Sequence, residues 1–257
     1  MSARSIGVRS LRASLIAAAA LGALLAWRAG AQQPMTDSKV TEVWTPVPRV
    51  VTPGMNAAPP SDAIVLFSGK DLAQWQGGDG APATWTVAGN AMTVRAGAGE
   101  IRTRQAFGDC QLHVEWRTPA VVHGDGQERG NSGVFLQGRY EVQVLDSHEN
   151  ATYVNGQAAS IYKQHIPLAN ASRKPGAWQS FDIVYHAPRF AAGGALATPG
   201  TITVFHNGVL VQDHVTITGR TFNSGMQTYE AHALKEPLAL QDHHAAVSYR
   251  NIWIREL

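Results

Sequence analysis

Short stretches in which apolar and polar residues alternate dominate the chain from Ile64 to its C-terminal end. In QLHVEWRT, for example, Leu112, Val114 and Trp116 alternate with polar residues, so a strand would place these three on one face. Comparable stretches follow, separated by turn pairs such as Asn207-Gly208. No segment of ten or more residues shows a helical period. The pattern predicts an all-β fold, an antiparallel β-sandwich, in a single domain.

The stretch GNSGVFLQGRYEVQVLDS (130–147) alternates almost without a break and carries unusual polar residues. As one strand it would direct five side chains into the core: Val134, Leu136, Tyr140, Val142 and Val144. Its opposite face would carry Phe135, Gln137, Arg139, Glu141 and Gln143. Amide, guanidinium and carboxylate groups supply the mixture of donors and acceptors that sugar hydroxyls require. We therefore expect a sugar-binding face, the alternative being an ordinary solvated sheet face.

A second polar group lies in LALQDHHAAVSYRNIW, near the end of the chain. The pattern predicts Gln241 and His243 on one face of a short strand and Arg250 on the next, so the three could converge on the same groove. A histidine side chain exchanges a proton near neutral pH. In a regular strand His244 would point the opposite way.

A third segment, SIYKQHIPLANASRKPGAWQSFDI, is typical of a long loop that returns to a strand at Trp178. Lys163 and Trp178 could stand at the rim of a pocket. Loops with and without function are both common, and the segment does not decide between them.

The first thirty-one residues have the features of a secretory signal peptide. Arg4, Arg9 and Arg12 precede an apolar run of 15 residues (13–27), and Ala29-Gly30-Ala31 supplies a small-x-small cleavage site. The run is short for a hydrocarbon core of about 30 Å, although an uncleaved membrane anchor is the alternative. Residues 1–31 are thus a predicted leader for export to a bacterial periplasm or for secretion, with no membrane association after cleavage. Residues 32–61 are a Pro-rich extended arm, and residues 62–257 form the domain.

Composition narrows the classes of partner. The formal net charge is +2 and no run of basic residues occurs, so nothing indicates nucleic acid or an anionic membrane surface. Cys110 is the only cysteine, which excludes an internal disulfide and predicts a buried structural thiol. The sequence does not indicate an oligomeric state.

Four segments together resemble the 3-keto-disaccharide hydrolase domain family: IVLFSGKDLAQW (64–75), GNSGVFLQGRYEVQVLDS (130–147), IYKQHIPLANASRKPGAW (161–178) and LALQDHHAAVSYRNIWIREL (238–257). The likeness covers roughly residues 62–257. It implies a concanavalin-like jelly roll of the lectin/glucanase type and activity on sugars whose C3 hydroxyl is oxidised to a ketone. In this family pattern we expect a glycine where the chain has His244.

The residues suit an elimination better than an ordinary double displacement. A retaining glycosidase places two carboxylates about 5–5.5 Å apart. Glu141, however, is followed by Gln143, and Asp146 reaches the groove only if a bulge near Leu145 resets the alternation. On a 3-keto sugar, a base can remove the acidified C2 hydrogen and the enolate can expel the glycosidic oxygen, after which water adds.

We therefore expect cleavage of small 3-keto-glycosides or 3-keto-disaccharides by elimination and hydration. Glu141 and His243 would act as acid and base in an order that the sequence leaves open. The residues expected to bind substrate are Asn131, Gln137, Arg139, Gln143, Lys163, Trp178, Gln241 and Arg250. The alternatives are a lectin-like binding protein without catalysis and a conventional two-carboxylate glucanase.

No cofactor is certain. A divalent metal ion that polarises the ketone is an open alternative, because Glu141, His243 and Asp242 are residue types that bind such ions. The chain has no tight ligand motif of the His-Glu-x-x-His kind.

Overall fold

The computed structural model describes residues 38–257. The predicted leader, residues 1–31, lies outside the described residues. The chain divides into two compact units, and the described part of the first, residues 38–50, contains one 3-10 helix, Ser38–Thr41. The second unit is Val51–Leu257. Among the described residues no helix has the length and hydrophobicity needed to span a membrane.

The regular secondary structure of the second unit is almost entirely β-strand. The strands are β1 (Ile64–Phe67), β2 (Trp75–Gly77), β3 (Thr86–Ala88), β4 (Ala91–Thr93), β5 (Ile101–Phe107), β6 (Cys110–Arg117), β7 (Ser132–Leu136), β8 (Tyr140–Val144), β9 (Gln179–His186), β10 (Arg189–Phe190), β11 (Leu196–Thr198), β12 (Thr201–His206), β13 (Val209–Thr216), β14 (Glu236–Leu240) and β15 (Ser248–Glu256). Two short 3-10 helices, Gly126–Glu128 and Val154–Gly156, lie in the connections.

These strands form two main antiparallel sheets. The larger has the order β13-β12-β9-β6-β15-β4-β3, with β1 also paired to β15, and the smaller has the order β2-β5-β14-β7-β8. Strands β10 and β11 form a separate two-stranded sheet. The all-β antiparallel sandwich of concanavalin-like type that the sequence predicts is confirmed.

The core lies where alternate side chains of the two sheets meet. Leu112, Val114 and Trp116 of β6 are fully buried, as the alternation predicts, and so are Val134 and Val142 of the smaller sheet. Burying one such side chain contributes about 1.5–3 kcal/mol, so these rows determine which face of each strand turns inward.

Cys110, at the start of β6, is buried as the sequence predicts. Removal from water raises the pKa of its thiol to about 12. The thiol therefore stays protonated at neutral pH, which is the state of a structural cysteine rather than a nucleophile.

Residues 130–147 form a hairpin, not the single strand that the sequence predicts. β7 and β8 pair across a turn in which Gln137 and Gly138 both have positive φ, 54° and 61°. Tight hairpins favour such turns because their twist matches that of the strands. Phe135 therefore lies opposite Glu141 and Gly133 lies opposite Gln143, so the polar face is shared between two strands.

The outer edge of β8 is covered by residues 159–162. The amide of Tyr162 donates to the Glu141 carbonyl (3.1 Å), the amide of Gln143 donates to the Ser160 carbonyl (3.0 Å), and the amide of Ala159 donates to the Gln143 carbonyl (2.9 Å). The edge strand that carries Glu141 thus has its backbone groups paired on both sides.

Candidate functional site

A small polar pocket of about 250 Å³ lies over the hairpin β7–β8. Its lining residues are Asn131, Phe135, Glu141, Gln143, Tyr162, Thr221, Asn223, Gln241 and His243. Five of these were expected from the sequence as site residues: Asn131, Glu141, Gln143, Gln241 and His243. Both expected catalytic side chains therefore line the same pocket.

Glu141 is the most buried ionisable group of this pocket. Its side chain, on β8, is only 4% exposed, and burial raises its pKa to about 8. Gly133 on the neighbouring strand leaves the space for the carboxyl group, because a Cβ at Gly133 would lie 2.5 Å from Glu141 Oε1. A carboxyl group with this pKa is mostly protonated at pH 7 and can donate a proton.

The side-chain amides of Gln127 and Gln143 also favour a protonated Glu141. Gln127 Nε2 donates to the Gly156 carbonyl (2.9 Å) and to Thr152 Oγ1 (3.0 Å), so its oxygen is turned toward Gln143. Gln143 Nε2 donates to that oxygen at 3.0 Å.

This orientation leaves the Gln143 carbonyl oxygen 2.9 Å from Glu141 Oε1. The same oxygen also lies 3.2 Å from the Ser132 carbonyl oxygen. In the reverse orientation the amide would donate to that carbonyl and to Glu141 Oε1, but two amide oxygens, those of Gln143 and Gln127, would lie 3.0 Å apart. An amide oxygen that faces a carboxyl oxygen at hydrogen-bond distance is satisfied when the carboxyl group carries the proton. Burial thus favours a neutral Glu141, and the first orientation of Gln143 is compatible with that state.

Gln241 and His243 reach the pocket from a loop rather than from the predicted strand. β14 ends at Leu240, and the amide of Gln241 donates to the Gly133 carbonyl at 3.0 Å, which fixes it beside the hairpin. Gln241 Oε1 is buried without a hydrogen-bond partner among residues 38–257, so a ligand hydroxyl could donate to it. His243 is exposed at the mouth of the pocket.

The loop turns at His244, whose φ is +66°. Asp242 supports this turn, since its Oδ1 accepts from the His244 amide (2.8 Å) and its Oδ2 accepts from the Gly99 amide (3.0 Å). The position at which the family pattern leads us to expect glycine is thus one with the left-handed backbone that glycine adopts most readily.

Three further lining residues were missed by the sequence analysis: Tyr162, Thr221 and Asn223. Thr221 Oγ1 accepts from the Glu141 amide at 3.1 Å, and Tyr162 OH donates to Asn223 Oδ1 at 3.3 Å. Lys163, expected to bind substrate, does not line the pocket and donates through Nζ to Asn223 Oδ1 (3.1 Å), a residue that does. These residues lie in loops, and no local pattern indicates that they approach β8.

Gln137 and Arg139 do not line this pocket, so the expectation that they share a groove with Glu141 is wrong. Gln137 is buried in the hairpin turn, where Nε2 donates to the Leu234 carbonyl (2.7 Å) and Oε1 accepts from Tyr185 OH (2.7 Å). Arg139 Nε pairs with a Glu236 carboxylate oxygen at 2.7 Å. Both residues instead line a separate cavity with Glu236.

Arg250 and Trp178 also lie elsewhere, which corrects the expected convergence of Arg250 with Gln241 and the expected place of Trp178 at the rim of the same site. Arg250 is on β15 of the larger sheet, where its Nε pairs with Glu115 Oε2 at 2.6 Å. Its guanidinium group stacks 4.1 Å from the centre of the Trp178 ring. Both residues line a separate cavity with His113 and Asp182.

Asp146 does not supply a second carboxylate to the pocket. It is buried and pairs with Arg129, whose Nε lies 3.0 Å from Asp146 Oδ2, and it borders the neighbouring cavity. Glu141 is the one carboxylate among the described residues that line the pocket. Within residues 38–257 no cluster of three or more His, Cys, Asp and Glu side chains could hold a metal ion. The divalent ion therefore stays an untested prediction.

Comparisons with known proteins agree with the fold. A crystal structure of a candidate glycosyl hydrolase from Parabacteroides distasonis ATCC 8503 is 50% identical, with a TM-score of 0.83 over 86% of this chain and 97% of that chain. A second structure so described from the same organism is 18% identical, with a TM-score of 0.55 over 76% and 94% of the two chains, and supports the fold alone. No curated protein shows a significant match.

A family model described as the 3-keto-alpha-glucoside-1,2-lyase-like domain matches residues 62–255. The match spans the strands, the hairpin and the loops that build the pocket, and it confirms the resemblance seen in the sequence. The family match and the similar glycosyl hydrolase structure identify the protein as a carbohydrate-active enzyme, and the chain belongs to the 3-keto-α-glucoside-1,2-lyase-like domain family.

Proposed function

We propose that the protein cleaves 3-keto-α-glucosides by 1,2-elimination followed by addition of water. The observation that carries the proposal is a single buried carboxyl group, Glu141, which lines the same polar pocket as His243. The family description supports the substrate class. The leader-like pattern of residues 1–31 supports export to the periplasm as part of the same proposal.

Glu141 and His243 have complementary roles in this proposal. His243 removes the C2 proton, which the C3 ketone acidifies, and the C2–H electron pair forms the C1=C2 double bond. The C1–O bond breaks, and the leaving oxygen takes the proton of Glu141. Water then adds at C1 and a proton returns to C2, so the net reaction is hydrolysis. Positioned acids and bases of this kind typically contribute about 10²–10⁴-fold each.

The remaining polar groups of the pocket suit one sugar ring. Gln241 Oε1 is an acceptor without a partner among the described residues, and the side chains of Asn131 and Asn223 line the same pocket. Loss of one preorganised donor to a developing oxyanion costs about 10²–10³-fold in comparable sites. We propose that these amides hold the ring hydroxyls and the ketone.

A conventional retaining glucanase needs a second carboxylate about 5–5.5 Å from the first. Among the described residues the pocket has Glu141 alone, and Asp146 is occupied by Arg129. The single carboxyl group therefore favours elimination over double displacement.

The chemistry can be tested by turnover of methyl 3-keto-α-glucoside in D₂O. Elimination breaks the C2–H bond, so we expect the 3-keto-glucose that is released to carry deuterium at C2. A control incubation of 3-keto-glucose without enzyme measures spontaneous exchange. Product that retains hydrogen at C2 would contradict elimination, and saccharide binding without any turnover would favour a lectin.

The role of Glu141 can be tested by Glu141→Gln, which keeps the shape but cannot deliver the proton. We expect kcat to fall by about 10²–10⁴-fold. Because the acid must be protonated and burial raises the pKa of Glu141 to about 8, wild-type activity should decline as the pH rises through 8. The variant should lose that decline. The surface variant Glu149→Gln serves as control, and wild-type turnover by Glu141→Gln would remove Glu141 from the reaction.

A further inference from the structure

A larger cavity of about 590 Å³ adjoins the Glu141 pocket, and His243 lines both. Its walls are mainly apolar and include Pro119, Val121, Val122 and Ala245. Val121 and Val122 are 67% and 45% exposed. Exposed valines in a concave site are available for contact with a ligand.

Two charged groups of this cavity, Arg129 and Asp146, are paired with each other, while Glu128 adds a further carboxylate to its wall. Arg129 donates to Asp146 Oδ2 through Nε (3.0 Å) and to the Glu149 carbonyl through Nη1 (3.2 Å). Asp146 Oδ1 accepts from the His148 amide at 3.1 Å. The ion pair therefore has few free donors or acceptors with which to bind the hydroxyls of a second sugar.

The two cavities differ in polarity, as the polar sugar ring of a glucoside differs from an apolar aglycone. The smaller cavity is polar and of a size for one ring, whereas the larger is apolar and more than twice the volume. Since His243 stands on the shared wall, the bond that breaks would lie at the boundary. A leaving group attached at C1 would then extend into the larger cavity.

We propose that the larger cavity binds the aglycone, and that it favours an apolar alkyl or aryl group over a second sugar. This inference rests on the proposed function. In the elimination, the electrons of the C1–O bond pass to the aglycone oxygen, which takes the proton of Glu141 and leaves as an alcohol. Binding of the remote apolar part positions that oxygen, and this raises kcat/KM.

The test compares the 3-keto derivatives of methyl α-glucoside, n-hexyl α-glucoside and an α-linked disaccharide. Methanol and hexanol are leaving groups of similar basicity, so a difference between them reports the cavity rather than the chemical step. We expect kcat/KM to be at least about tenfold higher for the hexyl than for the methyl substrate, as apolar pockets discriminate by such factors. The disaccharide should fall below the hexyl substrate.

Two valines with the same exposure supply the variant and its control. Val122→Asp places a charge in the cavity and should lower the hexyl-to-methyl ratio of kcat/KM about tenfold. Val209, on β13, is also 45% exposed but does not line the cavity, so Val209→Asp should leave the ratio unchanged.

The outcomes separate the two proposals. A wild-type ratio near one, a ratio unaffected by Val122→Asp, or a preference for the disaccharide would overturn the aglycone proposal while turnover of the methyl substrate upholds the proposed function. Failure of all three substrates to react would overturn both.

Discussion

The buried carboxyl group of Glu141 takes its character from its neighbours. Gly133 leaves room for it on the adjacent strand, and the Gln143 carbonyl oxygen faces it at 2.9 Å. Neither neighbour compensates a negative charge, so burial dominates and the pKa rises to about 8. The side chain is therefore suited to give a proton at neutral pH, provided that the orientation of the Gln143 amide is maintained.

Gln127→Leu should change that orientation. Without the Gln127 oxygen as acceptor, the Gln143 amide can reverse and donate to Glu141, which stabilises the carboxylate and lowers the pKa of Glu141. We expect the alkaline decline of kcat/KM to move down by about one pH unit, since a hydrogen bond to a charged group contributes about 1.5–3 kcal/mol and one unit corresponds to about 1.4 kcal/mol. The measurement is the pH profile of kcat/KM.

Thr152→Val is the matched control for that prediction. It removes one partner of Gln127 Nε2 but leaves the bond to the Gly156 carbonyl at 2.9 Å, so Gln127 should keep its orientation. We expect the profile of this variant to match the wild type. An unchanged profile in Gln127→Leu would show that Gln127 does not position Gln143.

Among the structural elements, the hairpin β7–β8 shows what alternation can and cannot predict. The inward and outward faces were predicted correctly for Val134, Val142 and Glu141, because side chains keep a period of two on both strands. The chain reversal was missed, since Gln137-Gly138 is a less obvious turn pair than Asn-Gly. Gln137 was assigned to the site for that reason. Arg139 lies on the Glu141 side of the turn, and its side chain pairs with Glu236 instead.

Loop elements were harder to predict than strands. Tyr162, Thr221 and Asn223 reach Glu141 through the hydrogen bonds that two loops make with β8 and with each other, and no periodicity in those loops indicates the approach. His243 was found because its residue type is chemically distinctive, although the strand predicted for it is a loop.

The turn after β14 has strain that one substitution should relieve. His244 has φ +66°, a region that costs a residue with a Cβ about 1–2 kcal/mol. Glycine loses more entropy on folding, which offsets part of the gain. We expect His244→Gly to raise the free energy of unfolding by about 1 kcal/mol or less, as measured by denaturant titration.

The neighbouring Ala245 has no positive φ, so Ala245→Gly should lower the free energy of unfolding and serves as control. A loss of stability in His244→Gly would mean that the His244 side chain contributes more than its backbone costs.

At the scale of the whole molecule, the two sheets separate the polar residues that the sequence grouped together. Arg250 belongs to the larger sheet and Trp178 directly precedes its strand β9, whereas Glu141 belongs to the smaller sheet. Alternation predicts a face within one strand, but the pairing order of strands depends on contacts between distant segments. The sandwich could therefore be predicted from the sequence, whereas the assignment of each polar residue to a cavity could not.

The segment before the first strand contributes to the stability of the sandwich. The Ala57 carbonyl accepts from Asn251 Nδ2 and from Trp253 Nε1, both at 3.0 Å. A chain that begins at Asp62, where the family match begins, should therefore be less stable by about 1–3 kcal/mol than one that begins at Val51. Denaturant titration of the two chains measures the difference.

Trp253→Phe in the shorter chain removes the N–H that truncation leaves without its partner, so it should recover part of the loss. Equal stability of the two chains would show that the bonds to Ala57 contribute nothing.

The cover on the edge of β8 has a consequence for self-association. An open edge strand is a template on which another chain can add, and residues 159–162 occupy that position here. The same residues bring Tyr162 to the pocket. A change that detaches this segment would therefore disrupt the site and at the same time expose an unpaired, aggregation-prone edge strand. Loss of activity and onset of aggregation should then occur together.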